Sequence, residues 1–316
     1  MKHFTSVNDV VHVNSFIEEA LELKKHPFIQ QELGKNKTIG LLFFNSSLRT
    51  RLSTQKAALN LGMNVIVMNI GSEGWALEME DGTVMNGTGV EHIKDAAAVL
   101  GLYCQVIAVR CFPTLTNKEE DYSEKVLRSF IAYSGVPIVS MESATLHPLQ
   151  SLADMMTISE VKNNPKPKVV LTWAPHIKAL PQVVANSFAE WTLKCGYDLT
   201  ITHPEGYELS TAFAKGATLE YDQQKALKEA DFVYVKNWSA YHDYGKVLTT
   251  DKAWMLTEEK MKFTNQAKIM HCLPFRRNLE LSDELLDGPN SLIVRQAQNR
   301  EFAAQAVLKK VIETNF

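Results

Sequence analysis

No apolar run in the chain approaches the roughly 20 residues that a membrane-spanning helix needs, so no transmembrane segment is expected. Cysteine is scarce. Its four copies (Cys104, Cys111, Cys195, Cys272) form no C-x-x-C pair and no metal-ligand spacing, which argues against a disulfide framework and a structural metal. A basic excess is missing too: the formal net charge is −3, whereas nucleic-acid-binding chains usually carry a positive balance. The stretch MKHFTSVNDV has no apolar centre of the kind a signal peptide carries. Internal repeats and low-complexity segments are also lacking. Together these absences predict a reduced, cytoplasmic enzyme with no nucleic-acid or membrane partner.

What is present is ordinary in bulk and specific in detail. A hydrophobic content of 45% and a charged content of 22% are those of a globular protein, and 316 residues give room for two domains of about 150 residues each. The organising stretch is Leu42-Phe43-Phe44-Asn45-Ser46-Ser47-Leu48-Arg49-Thr50-Arg51. Ile39 to Phe44 reads as a buried strand, Asn45-Ser46-Ser47 as a helix cap, and Arg49 to Leu61 as a helix stopped by Gly62. Two hydroxyls and two guanidiniums therefore stand where a strand meets a helix N-terminus, whose free N–H groups and dipole favour an anion.

Either side of it, strand and helix patterns alternate. Ser15 to Glu18 reads as a capping box opening a helix to about Lys25. Strands are expected at Asn64–Met68, Val106–Val109 and Pro137–Ser140, with helices at Glu91–Leu100 (stopped at Gly101) and Tyr122–Tyr133. The glycine-bearing region from Gly71 to Gly89 is long enough to suggest a functional loop. A second series has strands at Val169–Trp173, Leu199–Thr202, Phe232–Val235 and Ile269–His271, a short strand near Ser291–Val294, and a last helix from about Arg300. Such alternation implies α/β architecture: two doubly wound parallel-sheet domains. Lys162–Lys168 is the most linker-like segment.

In open α/β sheets, ligands gather beyond the carboxyl ends of strands. Arg110, Glu142, Lys236 and the run His271-Cys272-Leu273-Pro274 all fall there. Taken singly, each is an ordinary strand-end residue, and His147 before Pro148 is an ordinary structural donor.

As a set they resemble the aspartate/ornithine transcarbamylases. The string Ser47-Leu48-Arg49-Thr50-Arg51 is similar to that family's S-T-R-T-R phosphate loop, with leucine in the second position. His147-Pro148-Leu149-Gln150-Ser151-Leu152-Ala153-Asp154 resembles its H-P-x-Q-x-x-x-D segment, and His271-Cys272-Leu273-Pro274 its late turn. The resemblance spans nearly the whole chain. It implies a carbamoyl phosphate domain (1–147 plus a returning C-terminal helix, 297–316) and an amino-acid domain (148–296). It assigns carbamoyl phosphate to Ser47, Leu48, Arg49, Thr50, Trp75, Arg110, His147, Gln150, Arg300 and the carbonyls of Cys272 and Leu273, with Arg110, His147 and Thr50 in catalysis.

The family's ornithine enzymes carry an S-M-G triplet that this chain lacks. Leu48 and the proline-bounded loop Trp173–Pro181 resemble instead the branch acting on N-acylated ornithines. That branch implies substrate binding by Glu142, His176, Lys236, Arg276 and Val90. Its acetyl-using members usually carry glutamate before the residues matching Glu91-His92, its succinyl-using members proline. Val90 leaves that volume open and uncharged. The implied reaction is carbamoyl transfer from carbamoyl phosphate to the δ-amine of N-succinyl-L-ornithine, in arginine biosynthesis, without metal or cofactor. N-acetyl-L-ornithine is the alternative, ahead of plain ornithine or a non-catalytic metabolite-binding regulator. The family also implies a homotrimer with shared active sites.

Overall fold

The computed structural model describes residues 1–316. The chain forms two compact units, residues 1–149 with 300–316, and residues 150–299. Unit 1 runs α1 (Val13–Lys25), β1 (Thr38–Phe43), α2 (Leu48–Asn60), β2 (Asn64–Asn69), β3 (Leu77–Glu78), β4 (Glu91–His92), α3 (Ile93–Tyr103), β5 (Val106–Arg110), α4 (Lys118–Tyr122), α5 (Lys125–Tyr133) and β6 (Ile138–Glu142). Its sheet has the order β2-β1-β5-β6, and every pairing is parallel. β5 and β6 are buried along their whole length, and β1 along all but Thr38. Covering helices on both faces demand such unbroken apolar runs. The C-terminal ends of β1, β5 and β6 therefore fall side by side, which brings the segment after Phe43 close to Arg110 and Glu142.

Unit 2 runs α6 (Pro148–Val161), β7 (Lys168–Trp173), α7 (Val183–Lys194), β8 (Asp198–Thr202), α8 (Thr211–Ala214), β9 (Thr218–Glu220), α9 (Gln223–Leu227), β10 (Phe232–Lys236), α10 (Glu258–Met261), β11 (Lys268–Met270), α11 (Asp283–Asp287) and the start of α12 (Ile293–Asn315). Its five-stranded sheet, β11-β10-β7-β8-β9, is also wholly parallel. The chain passes between units inside α6 and again inside α12, so the end of the last helix belongs to unit 1 as expected. Lys162–Lys168 lies wholly within unit 2, between α6 and β7.

Four local expectations need correction. Ser15 does not cap α1, which begins at Val13; the capping box is Ser6 with Asp9, on a preceding 3-10 turn. Gly101 does not stop α3, which runs through it to Tyr103. A Cβ there would stand 1.9 Å from the Ser134 carbonyl oxygen, so the glycine permits close approach of two segments. The expected helix over Tyr122–Tyr133 is two helices, broken at Glu124 in the left-handed conformation (φ 54°, ψ 35°). Ser291–Val294 is no strand. A single bridge joins Ser291 to Ile269, and α12 starts at Ile293, seven residues before Arg300. Gly62 does act as read: it follows the end of α2 with φ 80°, where a side chain would strike the Gln31 carbonyl.

Candidate active site

In unit 1 the site is assembled from strand ends, the start of α2, the turn before α6 and one residue within α12. Ser47 takes an extended conformation as the N-cap of α2, its Oγ accepting from the Thr50 N–H at 3.3 Å. Asn45 ties this loop to the segment after β5, its Oδ1 accepting from the Phe112 N–H at 2.6 Å. Thr50 Oγ1 accepts from Arg300 Nη2 at 2.6 Å and lies 3.5 Å from Arg110 Nη1. The same Arg110 nitrogen donates to Glu142 Oε2, and His147 Nε2 approaches that oxygen to 3.3 Å. Phe112 covers the Arg110 guanidinium at 4.3 Å, a desolvated cation–π contact. Thr50, Arg110, Glu142, His147 and Arg300 are all buried.

Arg49, Arg110 and Arg300 act on one another or on His147, and Glu142 is the carboxylate paired with Arg110. Burial, then Arg300 and Arg49, pull Arg110 down to about 9, so it stays protonated at neutral pH beside the Glu142 carboxylate. Burial, then Arg300, Arg110 and Arg49, hold His147 well below the usual histidine value. The ring is therefore neutral at pH 7, with Nε2 the nitrogen that faces Glu142. Buried Arg110 Nε and His147 Nδ1 make no hydrogen bond. This is a preorganised anion site with donors aimed from four segments.

A stability prediction follows from the depressed histidine. Between its folded value and the ordinary value near 6.5, the unfolded chain binds a proton that the folded chain does not. His147 thus contributes stability that is full above pH 6.5 and is lost as pH falls below it. The His147→Asn variant is expected to lose less stability than the parent between pH 7 and pH 5, as read from urea midpoints. Parallel losses would place the ring's ionisation elsewhere.

In unit 2 Lys236, Cys272 and Leu273 sit at or just beyond strand ends, Gln150 in the first turn of α6, and His176 and Arg276 in loops. Gln150 and Gln296 both donate to Asp154 Oδ1, at 2.7 and 2.6 Å, and Gln296 Oε1 accepts from the His271 N–H at 3.0 Å. The His271 ring is fixed on both sides. Its Nδ1 accepts from the Leu273 N–H at 2.9 Å, and its Nε2 donates to Glu280 at 3.2 Å. Leu273 has φ 59° and precedes a cis proline, so the carbonyls of Cys272 and Leu273 stand on a sharply defined turn. The Cys272 thiol is buried. Lys236 ends β10, buried and close enough to Glu280 to help hold that carboxyl low, after the larger effect of the His271 hydrogen bond. Arg276 Nε donates to His176 Nε2 at 3.3 Å, whereas Arg277 is committed to Asp283 and Asp287.

The structure thus gathers Ser47, Thr50, Arg110, Glu142, His147 and Arg300 in one unit, with Arg49 within electrostatic reach. It holds Gln150, Cys272 and Leu273 on one bonded framework in the other. Leu48 is 70% exposed, so it offers backbone rather than side chain. Trp75 (54% exposed) and Val90 (66% exposed) belong to the small β3–β4 pair, where the Trp75 indole donates to Glu91 at 2.7 Å and the Val90 N–H to the Ala76 carbonyl at 2.9 Å. Sequence reasoning missed Glu124, Gln296 and Glu280. Each orients another group from a distant chain position, and no local pattern marks it.

Comparison with known proteins agrees with this geometry. Residues 2–160 match the aspartate/ornithine carbamoyltransferase carbamoyl-P binding domain, and residues 181–311 match the Asp/Orn binding domain of the same family. An N-succinylornithine carbamoyltransferase from Bacteroides fragilis is 52% identical over 99% of both chains. An N-acetylornithine carbamoyltransferase from Xanthomonas campestris pv. campestris is 34% identical over 99% of this chain and 98% of its own. A crystal structure of an N-acetyl-L-ornithine transcarbamylase with one glutamate changed to valine, in complex with carbamyl phosphate and N-succinyl-L-norvaline, superposes with TM-score 0.91 at 33% identity, covering 98% of this chain and all of that one. With guanidiniums around a capped helix start in one domain and a histidine-braced turn in the other, the chain belongs to the aspartate/ornithine carbamoyltransferase family.

Proposed function

We infer that the protein transfers the carbamoyl group of carbamoyl phosphate to the δ-amine of N-succinyl-L-ornithine, giving N-succinyl-L-citrulline and phosphate. The observation that carries the transfer step is the buried cluster of Arg110, Arg300, Thr50 and His147, two guanidiniums converging on one hydroxyl beside an imidazole. A fully ionised phosphoryl group carries close to two negative charges, which suits a cluster of guanidiniums. The amine lone pair attacks the carbonyl carbon, and the oxygen becomes an oxyanion. The carbon–oxygen bond to phosphate then breaks, its electron pair leaves with phosphate, and the amine proton passes to the leaving group.

Glu142 Oε2 marks where a negative oxygen is stabilised, since Arg110 Nη1 and His147 Nε2 both point at it. In this reading the carbamoyl oxygen takes those donors during reaction, and Glu142 turns to the N-acylornithine, together with His176, Lys236, Arg276 and Val90. Gln150 and the carbonyls of Cys272 and Leu273 bind the carbamoyl amide. The 52% identity to an N-succinylornithine enzyme, against 34% to an N-acetylornithine enzyme, supports the succinyl group. Purified protein with carbamoyl phosphate and succinyl-, acetyl- or unmodified ornithine tests this by citrulline colorimetry. A tenfold preference for the acetyl compound in kcat/KM would overturn the substrate, and no transfer to any of them the reaction.

The working assembly in this reading is a cytoplasmic homotrimer whose sites are shared. Leu48, Leu52 and Leu59 lie along one face of α2 and are 70%, 58% and 56% exposed, an apolar stripe suited to a subunit contact. Trp75 contributes to carbamoyl phosphate binding in a neighbouring subunit. Mixing inactive Trp75→Ala with inactive Arg110→Ala subunits is expected to restore about one quarter of sites, the half that keep Arg110 times the half whose neighbour keeps Trp75. No recovery in verified mixed trimers would exclude sharing.

A further inference from the structure

Between Glu142 and His147 the chain makes a tight turn, Ser143-Ala144-Thr145-Leu146. The turn bonds itself: the Ser143 N–H donates to the Leu146 carbonyl at 2.8 Å, and Ser143 Oγ accepts from the Leu146 N–H at 3.2 Å. Its outer brace comes from nineteen to twenty-one positions earlier in the chain. The Glu124 carboxylate accepts from Ser143 Oγ at 2.6 Å, from the Ala144 N–H at 3.1 Å, from the Thr145 N–H at 2.8 Å, and from Thr145 Oγ1. One side chain thus binds four donors on three consecutive residues. Glu124 reaches them from a left-handed conformation, uncommon for glutamate, at the break between α4 and α5. Strained backbone of this kind persists where its surroundings over-determine it and clusters at functional sites.

We propose that Glu124 is a positioning residue for the transfer step: by clamping residues 143–145 it sets the Glu142 carboxylate and the His147 ring against Arg110. The proposal rests on the reaction given above, in which His147 and Arg110 donate to one oxygen. The phosphate loop, Ser47 to Arg51, hangs on β1 and α2 rather than on residues 143–145, and its Thr50 meets the clamped segment through Arg110. Releasing the clamp therefore moves the oxyanion donors more than the phosphate loop, so kcat should fall more than KM for carbamoyl phosphate rises.

Glu124→Ala is expected to lower kcat about 10- to 30-fold, since small misplacements of catalytic groups carry costs of this order, while KM for carbamoyl phosphate changes less than about threefold. Glu124→Gln, whose amide oxygen still accepts from Thr145 and Ser143, should recover to within about threefold of the parent. Thr145→Val removes one donor without touching the strained backbone and should lower kcat in the same direction. In a His147→Ala background, Glu124→Ala should cost less than about threefold more, because the group it positions is gone. A Glu124→Ala enzyme within threefold of the parent, or fully multiplicative losses with His147→Ala, would overturn the proposal. The His147 ring nitrogens, assigned in a 15N spectrum by their loss in His147→Asn, give a readout without turnover. Glu124→Ala should shift or broaden them, and unchanged signals would overturn the proposal even if the parent transferred no carbamoyl group.

Discussion

Replacing Arg110 with alanine is expected to lower turnover by about 100- to 1000-fold, the cost of removing one preorganised donor to an oxyanion. The guanidinium is fixed from three sides, by Thr50 Oγ1, by the Glu142 carboxylate and by the Phe112 ring. It therefore needs little reorganisation when charge develops on the carbonyl oxygen. The fold should survive the change. Deleting one partner of a buried ion pair can cost about 3–5 kcal/mol when the other charge is left alone, but Glu142 still faces His147 and lies in the field of Arg49 and Arg300. Removing one of three clustered guanidiniums also relieves their mutual repulsion. Steady-state kcat with saturating carbamoyl phosphate, beside circular dichroism and a thermal midpoint, checks both halves. Activity within threefold of the parent would remove Arg110 from the mechanism.

The strand framework was legible because parallel sheets bury their strands on both faces, which leaves uncharged runs such as Ile39–Phe43 and Val106–Val109 in plain sight. The residues closing those runs, Arg110 and Glu142, were legible as site candidates for the same reason: a charge ending a buried strand stands at the sheet's ligand edge. Helix boundaries were harder. Gly101 looks like a stop signal, yet it answers to the Ser134 carbonyl thirty-three positions away, a contact that local pattern does not encode. Ser15 and Glu18 have capping-box spacing, but the chain enters α1 two residues earlier, and the box forms at Ser6 and Asp9. What the sequence concealed most was orientation. That Glu280 fixes the His271 ring and Glu124 the turn before His147 depends on pairings that exist only after folding.

Val90→Glu is expected to reverse the preference between the two acyl groups. N-succinyl-L-ornithine carries a terminal carboxylate that the acetyl compound lacks. Val90 is 66% exposed, bonded through its backbone to Ala76 and followed by the Glu91 that holds the Trp75 indole. The side chain is thus presented on a short, paired element where its replacement disturbs no core. A new carboxylate about 5 Å from the succinyl carboxylate, at an effective dielectric constant of about 20 to 30, costs about 2–3 kcal/mol, or roughly 30- to 150-fold in kcat/KM. The acetyl compound meets no such repulsion and gains a wall where the longer acyl chain would have lain. If Lys236 and Arg276 hold the α-carboxylate shared by both substrates, as proposed, the effect should appear as a change in ratio rather than a general loss. Measuring kcat/KM for the two acylornithines in parent and variant decides it. A variant whose preference ratio stays within threefold of the parent's would place acyl recognition elsewhere in the site.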